Sequence, residues 1–158
     1  MDYASYWQEF LRAKNLDSNL KYTSVFHFEL TEKWANILLD LVLKGIKKAT
    51  ASSLYSFEIE KEALPKVGDY HIITDWDRNP RAIIQVTKVR IIRYCDMTFE
   101  VCKLEGEDES LESWQKGHEK FFRAEGKSLG YTFTEELPIL FEEFVCVYPN
   151  IDGVEKGA

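Results

Sequence analysis

The sequence predicts one globular domain, rich in β-strands and flanked by helices. Two patterns carry the prediction. Apolar residues recur at helical spacing in three stretches, and β-rich segments bounded by Gly, Pro, Asn and Asp lie between them. Composition agrees: of 158 residues, 45% are hydrophobic, 30% charged and 14% aromatic, which are globular values with ample bulky core material. A chain of this length buries roughly 70% of its unfolded surface and needs no covalent staple.

The elements follow in order. Tyr3, Trp7, Phe10 and Leu11 define an amphipathic first helix over about residues 3–14, expected to pack on the domain as an appendage. Val25, Phe26 and Phe28 form a short strand. Leu30, Trp34, Ile37, Leu38 and Leu41 then make a helical stripe over about 31–44, stopped by Gly45. Pro65 and Gly68 mark a connection. Tyr70–Thr74 and Arg81–Arg93 are strands around a hairpin loop at Asp75–Pro80. Ser110 or Asp108 caps a third helix whose apolar face is Leu111, Trp114, His118, Phe121 and Phe122, with Gly126 as its stop. Pro138–Tyr148 closes the domain as a long strand. The pattern divides the chain into an N-terminal helical extension (1–24), a domain (25–149) and a disordered tail (150–158).

Several function classes are disfavoured. No apolar stretch approaches membrane-spanning length and no basic region precedes an apolar one at the N-terminus, so the expectation is a cytoplasmic protein with no membrane partner. Cys95, Cys102 and Cys146 are odd in number and lack C-x-x-C spacing, which argues against disulfides and a zinc knuckle. His27, His71 and His118 are too far apart for a metal motif, so neither metal nor cofactor is expected. A net charge of −7 disfavours a broad nucleic-acid surface. Residues 100–143 carry that excess, with twelve acids against five bases, so a local basic site in the first two thirds stays open.

Three constellations carry candidate chemistry. In Gly45-Ile46-Lys47-Lys48-Ala49-Thr50 an extended chain puts Lys48 and Thr50 on one side, whereas a tight turn lets Lys47 and Thr50 converge. The plain reading is a basic helix terminus. The functional reading is a desolvated lysine acting as base toward a hydroxyl. Glu105-Gly106-Glu107-Asp108-Glu109-Ser110 is a solvated helix entrance or, with one of Glu105, Glu107 and Asp108 turned inward, a partner for that lysine. Lys88 and Arg90 share a strand face, as a solvated surface or as phosphate contacts.

Taken in order, these segments resemble the ASCH domain family: Gly45, Lys47, Ala49 and Thr50; Pro65, Gly68 and Asp69; Glu105, Gly106 and Glu107; then Ser110, Leu111, Trp114 and His118. The resemblance spans roughly residues 26–148. It implies a β-barrel like that of the PUA domain, with contact to RNA or a modified nucleoside. Some small bacterial members are metal-independent amidohydrolases that remove the acetyl group of N4-acetylcytidine with a lysine, a threonine and a glutamate, which correspond to Lys47, Thr50 and Glu107. This chain is one residue shorter than many relatives between the E-G-E and S-L segments. The alternative implied by the family is an RNA-binding domain without catalysis, using Lys48, Lys88 and Arg90.

Overall fold

The computed structural model describes residues 1–29 and 31–150; Leu30 and the expected tail from residue 151 lie outside them. Among the described residues five α-helices, α1 (Tyr3–Ala13), α2 (Glu32–Leu43), α3 (Leu54–Glu60), α4 (Phe99–Cys102) and α5 (Leu111–Leu129), accompany five strands. The strands are β1 (Ser24–Phe26), β2 (Ala49–Ser53), β3 (Tyr70–Thr74), β4 (Pro80–Arg93) and β5 (Pro138–Tyr148). They form one sheet in the order β1-β3-β4-β5-β2, a half-barrel with flanking helices and with β1 and β2 at its edges. β1 runs parallel to β3, and β3 pairs antiparallel with β4 through the expected hairpin.

The chain forms two compact units. The first comprises Met1–Ile46, Val67–Thr87 and the chain from Phe144. Within it, Ile72 and Ile83 pack with Tyr6, Trp7, Phe10 and Leu11 of α1, while Ile73, Ala82 and Ile84 pack with Leu38, Leu39 and Val42 of α2. Successive strand residues point to opposite faces, so this part of β3 and β4 is covered on both sides, which is why it reads as an unbroken apolar run. The N-terminal helix is therefore one of the two covering layers of this unit's core rather than an appendage. Its Asp2 cap accepts from the Ser5 amide, and the Trp7 indole donates to Leu20 O at 2.7 Å.

The second unit comprises Lys47–Lys66 and Lys88–Glu143. Its core is aromatic: Trp114 and Phe122 of α5 pack with Tyr94, Phe133, Phe141, Ile139 and Ala49. Two sequence expectations change here. The pattern gave three helices, and α3 and α4 escaped it. α3 has no buried residue, so its Leu54, Tyr55, Phe57 and Ile59 make no stripe, and α4 spans only four residues. The third helix does not stop at Gly126 but runs on to Leu129, ending at left-handed Gly130. Gly126 is buried inside α5 because the returning chain crosses it there, with the Tyr131 amide donating to Gly126 O at 3.0 Å.

A Cβ on Gly126 would run into the main-chain carbonyl of Tyr131, whereas one on Gly117 in the same helix meets nothing. Gly126→Ala is therefore expected to lower the urea midpoint, because about 1–3 kcal/mol of overpacking is offset only in part by helix propensity. Gly117→Ala is expected to stabilise the protein by up to about 1 kcal/mol and so to raise the midpoint. Equal effects at the two sites would contradict this packing.

Candidate functional site

Lys47 leads into β2, and the amide of Lys48 donates to Leu104 O at 2.8 Å, which ties this segment to the turn that carries Glu105. Gly106 adopts a left-handed backbone (φ 74°) between Glu105 and Glu107. That conformation folds the chain back on itself at little steric cost only because the residue is glycine, and both carboxylates reach the same lysine. Lys47 Nζ donates to Glu107 Oε2 at 2.5 Å and to Ala49 O at 2.8 Å, and Glu105 Oε2 lies 3.7 Å away. The side chains of Lys47 and Glu105 are 1% and 3% exposed, while that of Glu107 is 21% exposed.

Glu105 is held on its other side by α5. Its Oε1 accepts from the Trp114 indole at 2.9 Å and faces His118 Nε2 at 3.5 Å. Trp114 and His118 are one helical turn apart and their rings stack, with centroids at 4.1 Å and planes 18° from parallel. His118 Nδ1 lies 2.9 Å from Trp114 O. A carbonyl only accepts, so Nδ1 carries a proton.

The electrostatics follow from these contacts. Burial alone would raise the Glu105 carboxyl, but the His118 hydrogen bond, the Lys47 charge and the Trp114 donor outweigh it and pull it down to about 2. Burial pushes Glu107 up, and the neighbouring Glu105 charge adds to this against the opposing pull of Lys47. Burial would lower His118, but the hydrogen bond and charge of Glu105 raise it.

The structure thus brings Lys47 and Glu107 together across 60 residues of sequence. Thr50 is half-buried in β2, in antiparallel register with Glu142 of β5, which is itself buried. Asp108 is turned away: it accepts from the Ser113 hydroxyl at 2.6 Å beside the Ser110 cap of α5. Lys48 and Lys88 are exposed, and Arg90 pairs with Glu143 at 2.7 Å above the Phe141 ring. Glu105 stood among the sequence candidates, whereas Trp114 and His118 read as core. The usable signal was their i, i+4 spacing, which aims two ring N–H groups the same way.

The lowered Glu105 carboxyl contributes stability that is present above its ordinary value of 4.5 and is lost as pH falls toward about 2. His118 works in the opposite sense, its contribution being complete below 6.5 and lost as pH rises through its higher folded value. Urea unfolding between pH 5 and 2 is expected to show a steeper stability loss in the wild type than in Glu105→Gln. Parallel pH profiles would contradict the assignment.

Comparisons with known proteins bear on this geometry. A family model described as ASCH domain matches residues 24–148. The crystal structure of an ASCH domain from Lactobacillus crispatus JV V101 is similar at 33% identity and TM-score 0.81, over 94% of this chain and 96% of that one. A crystal structure of a protein from Enterococcus faecalis V583 is similar at 31% identity and TM-score 0.82, over 98% of this chain and 93% of that one. Both overlaps exceed what residues 24–148 supply, so part of the N-terminal segment is shared as well. No curated protein matches the chain. On the family match, which covers most of its length, the chain belongs to the ASCH domain family.

Proposed function

We propose that this protein hydrolyses an N-acylated pyrimidine nucleoside, with N4-acetylcytidine as the representative substrate. The observation that carries the reading is the part-buried 2.5 Å hydrogen bond between Lys47 and Glu107, at two of the three positions that the family resemblance assigns to catalysis. The contact is short enough to pass a proton, and it joins the two groups an amide hydrolase needs as base and acid.

A balanced sequence of steps uses these residues. Lys47 gives a proton to Glu107, whose burial and acidic neighbour favour the protonated form. The neutral amine then takes the Thr50 proton as the hydroxyl oxygen attacks the acyl carbon. The C–N bond breaks, Glu107 gives its proton to the leaving amine, and an acyl-Thr50 ester remains. Water then cleaves the ester, releasing the carboxylic acid and restoring the hydroxyl. Among the described residues no hydrogen bond engages the Thr50 hydroxyl, which leaves it available for attack. The 21% exposure of the Glu107 side chain keeps it within a substrate's reach.

RNA binding without chemistry is supported less well, because Arg90 is committed to Glu143 and only Lys48 and Lys88 of that set are exposed. Incubation with N4-acetylcytidine is expected to release cytidine, and Lys47→Ala and Thr50→Val are each expected to reduce release by at least about a hundredfold. Thr50→Val keeps the β-branched shape, so it is also expected to remain folded. No release by the wild type, together with RNA affinity that falls steeply with salt, would replace this reading with the binding one.

A further inference from the structure

The two carboxylates on Lys47 are not equivalent, and what separates them is the pair of stacked rings on α5. The Trp114 indole N–H and the Nε2 edge of His118 converge on one oxygen, Glu105 Oε1, while Glu105 Oε2 faces Lys47. Among the described residues no ring donor reaches Glu107, which is the more exposed of the two.

The state of His118 follows from its contacts. With Nδ1 protonated toward Trp114 O, a neutral ring would present the Nε2 lone pair to the Glu105 oxygen, which repels it. The arrangement is attractive only when Nε2 also carries a proton, so an ionised Glu105 favours the imidazolium form of His118.

We propose that Glu105, Trp114 and His118 are positioning residues: the stacked rings hold Glu105 as a fixed buried anion beside Lys47, and Glu107 is left as the carboxyl that exchanges a proton with substrate. The role given to Glu107 rests on the hydrolase reading, whereas the clamp on Glu105 stands without it. The raised proton affinity of His118 and of Glu107, against the lowered one of Glu105, agrees with this division. The charged and titratable groups around Glu105 are Lys47 before β2, Glu107 in its own turn, His118 on α5 and Cys102 at the end of α4. Burial pushes the Cys102 thiol up to about 11, so it stays neutral and supplies no competing charge.

The test has one arm that needs no turnover. The ring nitrogens of His118 are followed by 15N NMR across pH in the full chain. The wild-type ring is expected to stay doubly protonated above 6.5, its ordinary value. Glu105→Gln keeps an oxygen for the indole but removes the charge, and is expected to lower the His118 midpoint by more than about one pH unit. A wild-type midpoint at or below 6.5, or the same midpoint in both proteins, would overturn the clamp. If the variant fails to fold, the wild-type midpoint decides alone.

The second arm reads the alkaline limb of kcat for N4-acetylcytidine, where Glu107 loses its proton. His118→Gln removes a positive neighbour and is expected to move the limb up by about one pH unit, while Glu105→Gln removes a negative neighbour together with part of the His118 charge and is expected to move it less. Loss of rate with both limbs unmoved would reduce these residues to a structural role and overturn the proposal. A wild type without turnover would refute the hydrolase reading and the role given to Glu107, with the NMR arm still deciding the clamp.

Discussion

A lysine ammonium at 1% exposure has given up nearly all of its hydration, and the second unit is organised around replacing it. Isolated, such a charge would lose several kcal/mol on burial. The replacement includes Ala49 O from β2 and, from the glycine turn, Glu107 and Glu105, the latter backed by α5. Each contact fixes an element. The turn must take a left-handed glycine, α5 must present Trp114 and His118 one turn apart, and β2 must follow Lys47 closely enough for its carbonyl to turn back.

Stability alone gives little reason to keep such a cluster. Buried ion pairs are often replaceable by well-packed apolar residues without loss, while removing one partner is strongly destabilising. The aromatic packing of Trp114, Phe122, Tyr94 and Phe133 already supplies this unit with a core. What the charges add is a lysine and a glutamate locked at proton-transfer distance, with the glutamate partly open to solvent. That asymmetry is what the proposed hydrolysis would use.

The sequence made much of the fold legible where burial is one-sided or periodic. The α2 stripe stopped at Gly45, the β3–β4 hairpin turned at Asp75–Pro80, and β5 ran over the expected Pro138–Tyr148. It was silent where no face is buried, as in α3, and misleading at Gly126, where a glycine serves a chain crossing rather than a helix end. At the site, the inward carboxylates stood among three candidates, because an acidic run looks the same whether it meets water or a lysine. Only the fold distinguishes Glu105 and Glu107 from Asp108, which is engaged by Ser113. His118 read as a core histidine because its apolar neighbours dominate the helical face, and a carboxylate thirteen residues upstream leaves no periodic trace.

Lys47 and Glu105 are buried charges that face each other at 3.7 Å, and a double-mutant cycle in urea measures their coupling directly. Lys47→Met and Glu105→Gln are each expected to destabilise the protein by about 1–3 kcal/mol, since each removes one partner of a buried charge that keeps others, Glu107 for Lys47 and the α5 rings for Glu105. The double variant removes both ends of the contact, so its loss is expected to fall short of the sum by about 1–2 kcal/mol. Losses that add to within about 0.5 kcal/mol would mean that the two charges do not sense each other, and would contradict the account.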